Sequence, residues 1–400
     1  WSSSFHRLSA TNTRHDAQCG PEMPRLIYLV SEDWYFISHR LPMARAARDA
    51  GYEVHVATRV VDCGPQIERE GFVLHPVPWQ RGSLHPLRTL ATIRTVRALY
   101  RKLKPDIVHH VALVPSLLGS IAALGLPMAK LNALAGLGFI FTSDSAKARL
   151  LRPIAMQVLR SLLTRPNTTV LVQNPDDEAL VATLGVAKAQ ISTIPGSGVD
   201  TDVLRPLPEP PGPVTVGFVG RLLDDKGVPT LVRAHDRLRQ RGLPLRTLVA
   251  GAPDPSNPAS IPAATLAEWR CHEGLELLGH VDEIAGFWAE AHIAVLPSRR
   301  EGLPKSLLEA AACGRPLIAT DVPGCREVAR PGVNALLVPV DDDAALADAI
   351  ATLAQAPDLR ARLGAGSRAL VEREFSSAHV GTMIVGLYRK LLQNGSPRRD

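Results

Sequence analysis

Short apolar runs alternate with amphipathic stretches along most of the chain, and this rhythm gives the fold class. Leu26–Val30 is an unbroken apolar run of strand length. A polar and aromatic loop follows from Ser31 to Ile37, then a helical period from His39 to the stop at Gly51, then a strand over Glu53–Thr58. Phe72–His75, Ile107–His110, Lys130–Asn132 and Thr169–Val172 read as further strands, with helices at about 86–103, 145–164 and 176–184. The pattern restarts at Val214–Gly220. It continues through strands at Arg246–Gly251, Leu275–Leu278, His292–Pro297, Pro316–Thr320 and Ala335–Val338, with two helices between Asp342 and about Arg373. A last helix, near Ala378–Gln393, carries apolar residues at 380, 383, 384, 387, 391 and 392, a stripe suited to packing back across the first half. Strands alternating with helices predict parallel sheets covered on both faces.

The punctuation of that pattern gives the domains. Residues 1–24 are polar and patternless and are expected to be a disordered leader or cloning remnant. Residues 25–204 form a first doubly wound domain. The stretch 205–213 holds five prolines in nine residues and reads as a semi-rigid linker. Residues 214–377 form a second doubly wound domain, and 378–400 the returning helix and a polar tail. Four hundred residues are too many for one core, and no uninterrupted apolar run is long enough to span a bilayer. Five scattered cysteines without a CxxC pair point to reduced thiols rather than a disulfide framework or zinc site.

Charge is unevenly spread around a net +6. Between Glu70 and Asp176 there are thirteen Lys or Arg and two acids, Asp106 and Asp144. Arg88, Arg94, Arg97, Arg101, Lys102 and Lys104 share one predicted helix, and Ser143–Arg165 is both apolar and basic. Such helices suit an anionic membrane surface. Nucleic acid fits less well, because no aromatic residues interleave the charges.

The densest chemistry lies between Ser298 and Thr320. Gly302 ends a turn after a buried strand, Pro304 suits a helix start, and Gly314 stops that helix. The free N–H groups from Gly302 to Ser306, through Leu303, Pro304 and Lys305, then form a mouth for phosphate, Pro304 itself contributing no donor. Glu301 and Glu309 flank that mouth as acceptors for sugar hydroxyls. Arg221 follows a strand ending in glycine, and Lys226 sits ahead of the next helix; these two cations can grip a diphosphate. The backbone around His280 and Val281 can read a base edge, with Asp282 capping the helix that follows.

Taken together, Gly220-Arg221, Asp225-Lys226-Gly227, Gly279-His280-Val281, Glu301 with Glu309, Ala310–Pro316 and Gly324–Val328 resemble the family 4 retaining glycosyltransferases of GT-B fold. The resemblance covers about residues 25–393. It implies two Rossmann-like domains facing a cleft, an acceptor-binding first domain and a nucleotide-sugar-binding second one. It further implies that Arg221 and Lys226 hold the donor diphosphate and Glu309 the ribose, while Glu301 with Gly302, Leu303 and Pro304 meets the sugar and phosphates. Asp106–His110 resembles the family strand that ends in an active-site histidine, with His110 favoured over His109. Ser31–Arg40 departs from the glycine-rich loop of many relatives, which makes Ser38 and His39 candidate donor or acceptor contacts.

The expected activity is transfer of a hexose or N-acetylhexosamine from a nucleotide sugar, UDP favoured and GDP possible, to a membrane-associated, polyprenyl-diphosphate-linked glycan. An α-linkage is expected, with no cofactor and no metal. Asp200-Thr-Asp202 and Asp341–Asp343 read as turn and cap residues rather than metal ligands. The expected location is the cytoplasm, peripheral on the inner membrane face. A nucleotide-sugar epimerase or a transferase with a soluble acceptor is the alternative. An oxidoreductase is disfavoured because no GxGxxG follows Val30, and a binding-only protein because Arg221, Lys226, Glu301 and Glu309 are all present.

Overall fold

A computed structural model describes residues 23–79, 86–134, 156–255 and 257–395. The expected leader over residues 1–22, and the part of the expected 145–164 helix before residue 156, lie outside the described residues; a helix is seen over 156–163.

Thirteen strands among the described residues form two parallel sheets. The first contains β1 (Arg25–Glu32), β2 (Glu53–Arg59), β3 (Val73–Pro76), β4 (Ile107–Val111), β5 (Ala129–Ala133), β6 (Thr168–Val172) and β7 (Ile191–Thr193), ordered β3-β2-β1-β4-β5-β6-β7. The second contains β8 (Thr215–Val219), β9 (Arg246–Ala250), β10 (Leu275–Gly279), β11 (Ile293–Leu296), β12 (Leu317–Thr320) and β13 (Ala335–Val338), ordered β10-β9-β8-β11-β12-β13. Strand order reverses between β1 and β4 and again between β8 and β11. Doubly wound sheets open a crevice at the carboxyl ends of such strands. Central strands are sealed on both faces, as their continuous apolar runs require: Leu26–Leu29, Val108, Leu131 and Val170 have no exposed surface.

The stretch after β1 differs from the expected loop and single helix. It forms two helices, Asp33–His39 and Leu41–Asp49, broken at Arg40, with Pro42 in the first turn of the second. The buried Asp33 carboxylate accepts the N–H groups of Val61, Asp62 and Cys63 at 2.8, 3.0 and 2.8 Å, which ties the first helix to the loop after β2.

The proline-rich linker is held against the second domain. Arg360 forks onto Glu209 at 2.8 and 2.9 Å, and Arg315, 1% exposed, donates to the carbonyls of Pro208 and Trp288. The two domains are joined again where Val199 N–H donates to Phe375 O at 2.9 Å and Ser377 N–H to Val199 O at 2.8 Å.

Helix Ser377–Gly395 then crosses to the first domain, where Val380, Ile384, Leu387 and Leu391 join its core. Gly381 lets it lie close to helix Leu41–Asp49, since an added Cβ would come within 2.9 Å of the Ala46 methyl. Tyr388 is fully buried, with its hydroxyl 2.7 Å from both Tyr28 Oη and His109 Nδ1. Tyr388→Phe removes both hydrogen bonds and is expected to destabilise the protein by about 1–3 kcal/mol, read as a lower urea midpoint. Adding Tyr28→Phe is expected to cost less than it does alone, because the two hydroxyls share one bond.

Candidate functional site

The site is organised by a turn that only glycine can make. Gly227 has φ +70°, and a Cβ there would lie 1.9 Å from Pro297 O. The turn after β8 therefore presses on the end of β11, which brings Lys226 Nζ to 2.5 Å from Glu301 Oε1. Ser298 Oγ donates to the same carboxylate oxygen at 2.6 Å. The Glu301 side chain is only 9% exposed, so this charge-assisted pair is weakly screened and fixes both groups.

Residues that sequence reasoning passed over clamp the turn from outside. Arg299 pairs with Asp224 and, at 2.9 Å, with Asp341, its N–H donates to Asp225 O, and Arg300 reaches Asp225 at 3.1 Å. The signal was present as two arginines just before Glu301 and two aspartates just before Lys226.

Helix Lys305–Ala312 starts after Pro304 with no side-chain cap, so its first-turn N–H groups suit an anion. Glu309 lies one turn in, 13% exposed and 3.3 Å from Lys305 Nζ; burial holds its carboxyl above the usual range and Lys305 opposes that. Gly324, at the next helix start, packs so closely that a Cβ would meet Gly302 O at 2.4 Å.

The first domain closes the other side. Asn174 Nδ2 donates to Gly302 O at 2.9 Å while its Oδ1 accepts from Asp177 N at 2.7 Å, so one side chain caps a helix and contacts the loop ahead of helix Lys305–Ala312. Leu303 lies over Gly196. His39 stacks on Tyr35 with ring centres 4.3 Å apart. Its pKa is pushed down to about 3, chiefly by burial and then by Arg40, Lys305 and Lys226, so it lies within the field of the second domain's cations. Ser38 is half-buried beside it.

Two expectations are corrected. His110 does not face the cleft: β4 is a central strand, and its alternation turns the His110 ring into the core over Gly119. Both ring nitrogens are taken there, Nε2 by Tyr100 Oη at 3.0 Å and Nδ1 by Asn132 Oδ1 at 2.8 Å. His109 points to the opposite face, against Tyr28 and Tyr388. Asp282 does not cap its helix: the cap position is Glu283, without a side-chain bond, and Asp282 pairs with the exposed His280 at 3.3 Å, next to Val281. Arg221 is half exposed and pairs with Asp254 at 2.9 Å. The acids read as structural behave as expected: Asp200 accepts from Asp202 and Val203 N–H, and Asp342 caps with Ala345 N–H.

Residues 25–174 match the family described as glycosyl transferase 4-like, and residues 213–356 match that described as glycosyl transferases group 1. The chain belongs to the family 4 glycosyltransferases of GT-B fold. Among family members, the capsular polysaccharide biosynthesis glycosyltransferase CapM of Staphylococcus aureus is 28% identical over 44% of this chain, a match that spans about half, 46%, of that protein. The N,N'-diacetylbacillosaminyl-diphospho-undecaprenol alpha-1,3-N-acetylgalactosaminyltransferase of Campylobacter jejuni is 22% identical over 90% of this chain and 99% of its own length. Anabaena HepE, solved with UDP-glucose, shares the GT-B fold at a TM-score of 0.73, with 16% identity over 92% of this chain and 99% of its own.

Burial sets a pH dependence for this glycosyltransferase. It lowers the pKa of His39 to about 3 and of His110 to about 4, and that of His109 well below the usual value; buried His55, His235 and His292 and half-buried His75 shift the same way. The unfolded chain then binds more protons, so stability is complete above about pH 6.5 and falls as pH drops below it, by about 1.4 kcal/mol per pH unit for each fully shifted histidine. Glu309 acts in the opposite sense, its contribution fading as pH rises through its raised pKa. Urea midpoints are expected to fall between pH 7 and pH 5, and His39→Gln to flatten that slope.

Proposed function

We propose that this family 4 glycosyltransferase moves a hexose or N-acetylhexosamine from a nucleotide sugar, UDP favoured and GDP possible, to a membrane-associated, polyprenyl-diphosphate-linked glycan. The arrangement that carries the reading is the Lys226–Glu301–Ser298 set at an uncapped helix mouth. The donor diphosphate lies across the N–H groups of that mouth with Lys226 and Lys305 as counter-charges, and Arg221 reaches it by releasing Asp254. Glu309 accepts from the ribose, and Glu301 orients the sugar. The UDP-glucose held by HepE and the diphospho-undecaprenol in the name of the Campylobacter jejuni relative support this choice of donor and acceptor.

With the leaving diphosphate held by cations, a same-face displacement is the mechanism we favour. The departing oxygen takes the acceptor hydroxyl's proton, the anomeric configuration is retained, and the product is α-linked. Catalysis then rests on positioning and charge neutralisation, and no metal is required. The basic helix Pro86–Leu103, with exposed Leu87 and Leu90 beside exposed Arg94, Arg101 and Lys102, suits an anionic membrane surface. No described helix is long and apolar enough to cross a membrane.

Thermal-shift binding against UDP-, GDP- and ADP-sugars tests the donor site. One of them is expected to stabilise the wild type and to lose its effect in Lys226→Ala and Glu309→Ala; equal responses in both variants would place the site elsewhere. Turnover with a lipid-linked acceptor is expected to survive chelation by EDTA, and its abolition would remove the metal-free mechanism.

A further inference from the structure

A recess lined by two cations and no acid opens at the amino edge of the first sheet. Its volume is about 90 Å³, and Ser120, Leu124, Lys130, Leu162, Arg165 and Pro166 form most of its wall. A water molecule needs about 10–15 Å³, so there is room for a group of several heavy atoms. Strand direction fixes the place. Lys130 is the second residue of β5, and Arg165 and Pro166 lie just ahead of β6, where these strands begin. The cleft lies where they end.

The polar groups around the two cations are already committed. Ser120 Oγ donates to Asn132 Oδ1 at 3.1 Å. The carbonyls of Ala122 and Leu124 accept from Arg97, a third cation, at 2.8 and 2.7 Å. Arg165 spends its Nε on Ser161 O at 3.2 Å, and among the described residues neither Lys130 nor Arg165 pairs with a carboxylate. Burial and then Arg165 pull the pKa of half-buried Lys130 below the usual lysine value, so the charge acting on it has its own sign. An anion between the two converts that repulsion into charge-assisted bonds, Arg165 offering a fork and Lys130 a point charge. A phosphate monoester, with a charge of about −1.5 to −2, matches two cations better than a carboxylate does. Leu124, Leu162 and Pro166 leave the rest of the wall apolar, which suits the carbon skeleton that carries the phosphate.

We propose that Lys130 and Arg165 form a phosphate-binding site on the first domain, at the sheet edge opposite the cleft, which takes the phosphoryl group of a small phosphate ester. A soluble ester and a phospholipid headgroup present that same group. The site is separate from those of donor and acceptor and stands whether or not the glycosyltransferase reading does.

Thermal melting of the full chain tests it, with inorganic phosphate as probe and sodium chloride matched for ionic strength. Saturating phosphate is expected to raise the melting temperature of the wild type by about 2 °C, and equally that of Lys226→Ala, which lacks a donor-side cation. Arg165→Gln, at an exposed position, is expected to melt close to the wild type without phosphate and to lose about half of the shift or more. Lys130→Met is expected to lose it as well, and Lys130→Arg to keep it; should Lys130→Met fail to fold, Arg165→Gln decides. No shift in the wild type overturns the proposal, as does a shift that survives in both Arg165→Gln and Lys130→Met. A shift that disappears in Lys226→Ala overturns it too, because the phosphate then sits on the second domain. Glycerol 3-phosphate and dihexanoyl phosphatidylglycerol below its micellar concentration separate the two sources. A larger shift with the lipid identifies a headgroup, and an equal or larger one with glycerol 3-phosphate a soluble ester.

Discussion

The contact between Gly227 and the carbonyl of Pro297 leaves no room for a β-carbon, and the cleft depends on that closeness. Because the turn after β8 sits directly on the end of β11, a lysine from the turn after one strand and a glutamate from the loop after its neighbour meet within hydrogen-bond distance. Arg299 and Arg300 hold the same two segments together from the solvent side through Asp224, Asp225 and Asp341. Neighbouring parallel strands deliver their loops to a common edge, and this packing turns that proximity into fixed geometry.

The first domain contributes rigidity of another kind. Its central strands are closed on one face by the returning C-terminal helix, whose Tyr388 hydroxyl ties β1 and β4 through Tyr28 and His109. On the other face, Tyr100, His110 and Asn132 form a second buried chain, to which Ser120 adds a bond to Asn132. These histidines serve the fold as neutral hydrogen-bonding groups, for which burial suits them by suppressing their charged form. His39 and Ser38, half-buried, and the buried Arg40 belong instead to the helices after β1, the first of which Asp33 ties to the loop after β2 through three backbone amides.

Periodicity made the architecture readable, because doubly wound domains bury whole strands and expose one side of each helix. Lys226, Glu301 and Glu309 were readable because glycines and a proline mark the turns that position them. The histidine pair was misread for a physical reason: strand alternation, not distance from the strand end, decides where adjacent residues point, and both landed in core layers. Asp33, Asn174 and the Arg299 clamp escaped because their partners lie far along the chain, so no local spacing betrays them. The break at Arg40 escaped because residues 33–49 read as one loop and one helix until Asp33 is seen capturing amides from the loop after β2.

The chain crosses between the domains twice, and the crossings lie side by side, with Val199 bonded to the backbone at Phe375 and Ser377. The linker residues Pro208 and Glu209 are held by Arg315 and Arg360 and therefore travel with the second domain. Two bodies joined at a pair of adjacent points share a short axle rather than a loose tether. Gly196, three residues before Val199, is covered by Leu303 of the second domain, so the seam between the domains begins next to that axle. The hydrogen bond from Asn174 to Gly302 O spans the same seam, so a side chain that caps a first-domain helix also ties that domain to the loop after β11.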